Sequence, residues 1–386
     1  MDKPDKNISA GRESKPHIGI YGRCNAGKST LLNFLVQGDF AVVSAQAGTT
    51  TDPVRKSYEI LDFAPVIFID TAGLDDSSKL GAKRTRKTEE TFAQIDLALL
   101  VFRRWGKTEE DARLRFIRDG IPHVLVFNLY EGETAPTLPF SYLTVNALSG
   151  SNSQRESLLN AIKQALPERS YIMPSMFEGR VEKKNIVLLV CPIDSEAPSG
   201  RMVLPQVQAI RHLLDKHAVA VVVQTEEIET VLTQGIRPAL VVTDSQAFAE
   251  VKAIVPKGIE ITSFSILLAQ MKGDIAAYSE GLERIAGLEN GDKVLILENC
   301  IHQTSCEDIG RVKIPALLKK KTGVKLNFDV VSGLAPLPEN LAEYTLAIQC
   351  GGCMVTRSQL QNRIRAVRQA GVAITNYGML LNKLLE

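Results

Sequence analysis

Short apolar runs alternate with amphipathic stretches over the first part of the chain. The apolar runs have the length of buried β-strands, and the stretches between them repeat apolar residues at helical spacing. The strand-like runs are HIGIYG, PVIFIDTAG, LALLVF, HVLVFN and YLTVNA. The helical stretches are STLLNFLV, KTEETFAQI, EEDARLRFIRDG and RESLLNAIKQAL. This alternation predicts an α/β domain with a mostly parallel sheet.

The alternation stops at a proline-bearing stretch from Pro167 to Pro174, which predicts a linker. Two further groups of apolar strands follow it, and each group is interspersed with helical stretches. The middle group is small and its strands are continuously apolar, so we expect open sheet edges that pair two copies into a homodimer. The expected segments are a flexible N-terminus over 1–16, an α/β domain over 17–168, a dimerisation domain over 175–258 and a third α/β domain over 259–386.

The composition argues against several classes of protein. The chain of 386 residues has a formal net charge of +1, so no basic field favours a nucleic-acid partner. Its polar N-terminus lacks the apolar core of a signal peptide, and no apolar run reaches membrane-spanning length. We therefore expect a cytoplasmic protein without a membrane or nucleic-acid partner. Six cysteines in such a chain favour free thiols or metal ligands over a disulfide framework.

A phosphate-binding loop is predicted between the first strand and the first helix. The segment GRCNAGKS, from Gly22 to Ser29, fits the pattern G-x-x-x-x-G-K-[ST]. In this setting backbone N–H groups surround the phosphates, Lys28 reaches the terminal ones and Ser29 ligates Mg²⁺. The predicted nucleotide-binding residues here are Asn25, Ala26, Gly27, Lys28, Ser29 and Thr30.

Two further segments fit the switch elements of GTP-hydrolysing proteins. Asp70 to Gly73 reads DTAG and fits D-x-x-G, in which the aspartate holds Mg²⁺ through water and the glycine N–H senses the γ-phosphate. The polar loop GTTTDP before it is the switch I candidate, with Thr50 as its Mg²⁺ ligand. Ser29, Thr50 and Asp70 are thus the predicted Mg²⁺ site.

The base-reading element departs from the usual N-K-x-D. The strand HVLVF leads into Asn128, Leu129, Tyr130 and Glu131, so the lysine is replaced by leucine and the aspartate by glutamate. The Glu131 carboxylate can still accept hydrogen bonds from guanine, although its longer side chain must sit differently. Asn146 and Ala147 stand where a backbone contact to the guanine oxygen is expected. The element predicts a weakened preference for guanine.

These motifs resemble GTPases related to tRNA-modifying and ribosome-associated G proteins that carry N-A-G-K-S in the loop. In that group the loop asparagine, here Asn25, is linked to a bound K⁺ that supplies positive charge at the phosphates. Leu74 follows D-T-A-G where other GTPases place a water-orienting glutamine, and an apolar side chain cannot orient water. We therefore expect slow, switch-type hydrolysis.

Three cysteines near the C-terminus suggest a metal site. Cys300, Cys350 and Cys353 each follow an apolar strand, and the carboxyl ends of parallel strands lie on one edge of a sheet. Three converging thiolates suit a metal or iron–sulfur site with an open coordination position. From residue types alone, structural Zn²⁺ held by these cysteines and His302 is nearly as good an interpretation.

The chain as a whole resembles the maturation GTPases of [FeFe]-hydrogenases, the HydF family. The resemblance rests on the GTPase motifs, the small middle domain and the cysteine pattern Cys300-Ile301-His302 followed by Cys350-Gly351-Gly352-Cys353. It implies that residues 17–168 form a P-loop GTPase domain and that residues 259–386 form an iron–sulfur cluster-binding domain, in which the three cysteines bind a [4Fe–4S] cluster. Many members have histidine before the second cysteine, whereas this chain has Gln349. The fourth iron position would then be open to water, or to a side chain from the predicted set His302, Glu307 and Asp308.

The resemblance also implies a role as scaffold and carrier of a transient di-iron precursor of the hydrogenase active site. Its partners would be radical-type maturation enzymes and the apo-hydrogenase, and GTP or GDP would act as a timing signal. A zinc-structured GTPase acting on RNA or ribosome-associated particles is the alternative, against which the balanced charge counts. A redox enzyme that uses the cluster for electron transfer would require four protein ligands, so three cysteines fit that function less well.

Overall fold

The structure is a computed structural model of the whole chain. It describes residues 15–36, 40–46, 53–60, 63–75, 87–88, 90–171, 174–193, 202–299, 309–353 and 355–385. The chain divides into two compact units, residues 1–172 and 173–386. No helix within the described ranges is long and apolar enough to cross a membrane.

The N-terminal unit is built on a seven-stranded sheet in the order β2-β3-β4-β1-β5-β6-β7. Its strands are β1 (His17–Tyr21), β2 (Phe40–Gln46), β3 (Val54–Ile60), β4 (Ala64–Asp70), β5 (Leu97–Phe102), β6 (His123–Asn128) and β7 (Leu143–Val145). The β2–β3 and β3–β4 pairs are antiparallel, and every other pair is parallel. The prediction of a mostly parallel sheet is therefore confirmed.

Both faces of this sheet are buried because alternate strand residues enter two separate apolar clusters. Ile18 and Ile20 of β1 lie in one cluster, and Tyr21 lies in the other. The helices within the described residues include α1 (Lys28–Leu35), α2 (Lys107–Arg118), α3 (Asn152–Ala165) and the single turn α4 (Glu168–Tyr171). The carboxyl ends of β1 and β4 lead directly into the predicted phosphate-binding and D-x-x-G segments.

The second unit contains two four-stranded sheets, each wholly parallel. One has the order β11-β10-β8-β9, formed by β8 (Ile186–Val190), β9 (Val219–Val223), β10 (Leu240–Thr243) and β11 (Glu260–Ser263). The other has the order β13-β12-β14-β15, formed by β12 (Lys293–Glu298), β13 (Asn327–Ser332), β14 (Leu346–Gln349) and β15 (Ala373–Asn376). These sheets confirm the α/β class of the C-terminal half.

Eight helices within the described residues cover these two sheets. They are α5 (Leu204–Asp215), α6 (Ile228–Thr233), α7 (Phe248–Ile254), α8 (Phe264–Lys272), α9 (Ile275–Glu283), α10 (Ile314–Thr322), α11 (Arg357–Gln369) and α12 (Tyr377–Leu385). Helix α8 starts at the residue after β11, where the Ser263 hydroxyl accepts a hydrogen bond from Ile266 N. It packs against α5, which covers the first sheet, and against α11 and α12, which cover the second. Strand β11 follows residue 259, so the proposed border at 258/259 falls before the last strand of the first of these sheets.

Candidate functional site

The loop between β1 and α1 is shaped by two glycines that no other residue could replace without strain. Gly22 has φ +146, and a Cβ there would lie 2.1 Å from the Val101 carbonyl oxygen. Gly27 has φ +91, and a Cβ there would lie 2.1 Å from Asn128 Nδ2. Positive φ and contact at this distance each favour glycine. The two glycine positions of the motif are therefore explained by backbone geometry.

Lys28 begins α1 and is held inside the loop. Its side chain is buried, and Nζ donates to the carbonyl oxygens of Gly22 at 3.1 Å and Arg23 at 2.8 Å. Asn25, in the middle of the loop, has φ +59, a left-handed conformation that asparagine tolerates better than most residues. The loop thus presents a fixed cation beside the start of a helix, the arrangement that binds phosphate.

The structure brings together two of the three predicted Mg²⁺ ligands. Ser29 Oγ donates to Asp70 Oδ2 at 2.7 Å. Asp70 Oδ1 is buried and has no hydrogen-bond partner among the described residues. A hydroxyl and a carboxylate at this distance are ligands that Mg²⁺ prefers, and the second carboxylate oxygen leaves capacity for a metal-bound water. The residues fit the ion. Thr50 lies outside the described residues.

Asn128 connects three segments of the predicted nucleotide site. Its Nδ2 donates to the Ala26 carbonyl oxygen at 3.0 Å, and its Oδ1 accepts from Ala147 N at 3.1 Å. The side chain is 1% exposed. Asn146 fastens its own turn, since its Oδ1 accepts from the N–H groups of Leu148 and Ser149. Asn128 therefore sets the distance between the phosphate loop and the segment that includes Asn146 and Ala147.

The D-x-x-G segment packs directly on the phosphate loop. A Cβ at Gly73 would lie 2.3 Å from Cys24 Sγ and 2.6 Å from Cys24 N. Leu74 N donates to the Gly22 carbonyl oxygen at 3.1 Å, and Cys24 N donates to Asp75 Oδ1 at 2.7 Å. Asp75 is a contact that sequence analysis missed. A displacement of either segment therefore requires a displacement of the other.

A second contact that the sequence analysis missed is an ion pair behind the phosphate loop. Arg23 donates to Glu109 from Nε at 2.8 Å and from Nη2 at 3.1 Å. Glu109 lies in the first turn of α2, is 1% exposed, and also accepts from Gly106 N at 3.0 Å. The hydrogen bonds to Glu109 raise the pKa of Arg23. Glu109 stands three residues after Gly106, where a glutamate commonly accepts from the N-cap N–H group, but no sequence motif indicates its pairing with Arg23.

The predicted base-reading segment is held by contacts within the N-terminal unit. Leu129, in the lysine position, packs into an apolar cluster of the domain. Tyr130 instead lies under the Arg103 guanidinium, 4.1 Å from the ring centroid, and its N–H donates to Glu133. Arg103 and Glu133 also form an ion pair. Glu131 is exposed. Tyr130, Arg103 and Glu133 thus give this segment a rigidity that no motif indicated.

The second candidate site lies at the carboxyl ends of β12 and β14, which are adjacent and parallel. Cys350 follows β14, and its N–H donates to the Leu297 carbonyl oxygen. Its Sγ accepts from Asn299 N at 3.1 Å and from Asn299 Nδ2 at 3.3 Å. Asn299 immediately precedes Cys300 in the chain. The predicted approach of these two distant segments is present up to the residue before Cys300.

The surroundings of Cys350 fit an iron–sulfur ligand. Hydrogen bonds from N–H groups to a cysteine sulfur are a usual means of tuning such ligands. Gln349 is fully buried; its Oε1 accepts from the Tyr278 hydroxyl at 2.9 Å, while its Nε2 donor has no acceptor among the described residues. Burial raises the pKa of Tyr278, so it remains a donor. Cys353 is half-buried on the same loop.

The remaining predicted ligands belong to the segment 300–308. No three histidine, cysteine or acidic side chains gather as a metal site in the part of the chain that the structure describes. Cys300, His302, Glu307 and Asp308 lie outside that part. The loop from Cys350 to Cys353 therefore supplies two candidate thiols, and the predicted three-cysteine set stays a proposal.

Comparison with known proteins gives three family models and several relatives. GTPase Der of Campylobacter hominis is 46% identical over 93 residues, which are 23% of this chain and 20% of that protein. The tRNA modification GTPase MnmE of Lactobacillus delbrueckii subsp. bulgaricus is 33% identical over 176 residues, 44% of this chain and 36% of that protein. The chain thus spans about a third or less of these relatives. The crystal structure of Era from Aquifex aeolicus matches at 20% sequence identity and a TM-score of 0.32. The match covers 63% of this chain and 98% of the Era chain.

The family models follow one another along the chain. The 50S ribosome-binding GTPase model matches residues 17–129, so the N-terminal unit carries a GTPase domain. The hydrogen maturase F dimerization domain matches residues 176–273, and the hydrogen maturase F tetramerization domain matches residues 276–385. These last two models together match more than half of the chain. The chain therefore belongs to the HydF family of hydrogenase maturation GTPases.

Proposed function

We propose that this protein is a GTP-hydrolysing scaffold that binds a [4Fe–4S] cluster and carries the di-iron precursor of the [FeFe]-hydrogenase active site to the apo-hydrogenase. The observation that carries the proposal is the contact of Cys350 Sγ with Asn299, which brings the cysteine loop to the residue before Cys300. Cys300, Cys350 and Cys353 would hold the cluster. When bound, the cluster would supply an iron with an exchangeable position, to which His302, Glu307 or Asp308 could be a ligand.

The nucleotide is the proposed timing signal for this delivery. Loops ordered around the γ-phosphate and Mg²⁺ can favour one partner contact, and hydrolysis releases them. In this proposal Ser29 and Asp70 hold the Mg²⁺ ion, and Lys28 binds the terminal phosphates. Gly73 packs on the phosphate loop at Cys24. Glu131 is the proposed reader of guanine. The GTP-dependent partners would be the radical-type maturation enzymes and the apo-hydrogenase, and the protein would act as an oligomer in the cytoplasm.

The cluster is tested by anaerobic analysis of iron and acid-labile sulfide, with electron paramagnetic resonance of the reduced protein. We expect about four irons and four sulfides per chain in the wild type, as a cubane cluster requires. In the variant with Cys300, Cys350 and Cys353 all replaced by alanine we expect loss of both, and of the resonance signal. Cys24→Ala is the matched control, because this exposed thiol lies in the N-terminal unit and its loss should leave the cluster intact. Zinc without sulfide in the wild type would contradict the proposal and favour the zinc-structured, RNA-linked alternative.

Potassium dependence is the second test, because Asn25 is the proposed K⁺-linked residue. We expect severalfold faster GTP hydrolysis in potassium chloride than in sodium chloride at equal ionic strength. The ratio should fall to about one in Asn25→Gly, since glycine adopts the φ of +59 without strain and only the side chain is lost. Asn33→Ala, on the exposed face of α1, is the matched control and should keep the wild-type ratio. Equal rates in both salts for the wild-type protein would overturn the assignment.

A further inference from the structure

One lysine in the C-terminal unit is buried at the cysteine loop. Lys272 ends α8 and is 0% exposed. Its Nζ donates to three carbonyl oxygens of a single loop, those of Gly352 at 3.1 Å, Cys353 at 3.2 Å and Val355 at 3.0 Å. An ammonium is strongly hydrated in water, so its complete burial is costly unless the site needs its charge or its hydrogen bonds.

The backbone at Lys272 is also held by a hydrogen-bonded side chain. Gln361 in α11 donates from Nε2 to the Lys272 carbonyl oxygen at 3.0 Å and to that of Gly273 at 2.7 Å. Lys272 lies in the segment that matches the dimerization domain, whereas its three acceptors lie in the segment that matches the tetramerization domain. The geometry of the cysteine loop is therefore set by a side chain from the neighbouring domain.

A second buried cation reaches the same loop through Asn299. Arg363 in α11 is 6% exposed and donates to the Ala335 carbonyl oxygen at 2.7 Å and to Asn299 Oδ1 at 3.3 Å. Asn299 in turn donates to Cys350 Sγ through its N–H and its Nδ2. A guanidinium on the amide oxygen polarises the Asn299 amide and strengthens its hydrogen bond to sulfur. One cation therefore lies beside Cys353 and the other behind the donors to Cys350.

We propose that Lys272 and Arg363 form a charge-compensating pair that holds the Cys350–Cys353 loop in its ligating conformation and raises the reduction potential of an iron–sulfur group bound there. This inference rests on the proposed function. A group held by cysteine thiolates is anionic, and accepting one electron from an external reductant adds a further negative charge. Two positive charges in a medium of low dielectric constant stabilise that product more than the oxidised form. Neither residue is a ligand, so both are positioning residues.

The test compares reconstituted full-length proteins in a potentiometric titration with dithionite, followed by electron paramagnetic resonance. Lys272→Met keeps the length of the side chain and removes its charge. We expect its midpoint potential to shift to more negative values and its iron to be lost severalfold faster to a chelator. Arg363→Gln should shift the potential in the same direction while keeping an amide donor. Lys252→Met removes an exposed lysine of α7 in the same unit and should match the wild type.

Each outcome bears on a different claim. Wild-type potential and wild-type iron loss in folded Lys272→Met and Arg363→Gln would overturn the inference and leave the proposed function standing. If Lys272→Met does not fold, an unchanged potential in Arg363→Gln is sufficient to overturn the paired role. Wild-type protein that takes up no iron or sulfide would overturn the proposed function itself. A purely structural role for Lys272 predicts iron loss without a shift in potential, which also contradicts the inference.

Discussion

Replacing Asn128 by alanine is expected to weaken GTP and GDP binding by at least tenfold and to destabilise the N-terminal unit. The substitution deletes the hydrogen bonds to Ala26 O and from Ala147 N and leaves both backbone groups unpaired in a buried position. Each unpaired buried group costs about 1–3 kcal/mol, so the free energy of unfolding should fall by about 2–6 kcal/mol. Binding falls further because the phosphate loop loses its fixed distance to Asn146 and Ala147. Titration with a fluorescent GDP analogue and urea unfolding measure the two effects.

The matched control is Asn152→Ala, which removes an exposed asparagine at the start of α3 in the same unit. Its nucleotide affinity should equal that of the wild type, and its stability should change by less than about 0.5 kcal/mol, as for other surface substitutions. A folded Asn128→Ala protein with wild-type affinity would show that Asn128 does not organise the nucleotide site.

Much of the fold could be predicted from apolar runs because their strands are buried on both faces. The strand β5, LALLVF, is buried at every position, and such a run needs no knowledge of its neighbours to be identified. The antiparallel strands β2 and β3 were missed. The described side chains of β3 are partly exposed, as in VRKSYEI, so its pattern is mixed. The four-residue strand β11, EITS, contains no apolar run, and so short a segment becomes a strand only through its pairing with β10.

In the candidate sites, the motif residues could be predicted from the sequence, whereas their distant contact partners could not. Motif residues such as Lys28 and Asp70 could be found because their chemistry requires a local order along the chain. The HydF resemblance, read from the order of the motifs, is confirmed by the family models. The partners of the motifs could not be found, because Glu109 lies 86 residues from Arg23 and Lys272 lies 80 residues from Gly352. Lys272 even stands at helical spacing from Phe264 and Leu268, where the pattern indicates an apolar core position.

Helix α9 packs closely on strand β15 in the C-terminal unit. A Cβ at Gly281 would lie 2.1 Å from the carbonyl oxygen and 2.4 Å from the carbonyl carbon of Ile374. Because those are backbone atoms of a strand that is hydrogen-bonded to β14, they cannot move aside as a flexible side chain could. Nearby, Thr375 Oγ1 donates to the Tyr278 carbonyl oxygen at 3.0 Å, so the helix is fastened to the strand at the closest approach.

Gly281→Ala is therefore expected to destabilise the C-terminal unit by about 3 kcal/mol or more, the upper range for overpacking. The gain in helix propensity, about 1 kcal/mol, offsets only part of this. Gly287→Ala is the matched control, since its nearest neighbour is Arg284 Nη1 at 3.9 Å and no backbone strain arises. Urea unfolding of both variants would contradict this account of the α9 packing if their midpoints were equal. Since Asn376 of β15 donates to Gln349 O at 3.3 Å, displacement of this strand by Gly281→Ala should also reach the residue before Cys350 and reduce iron retention.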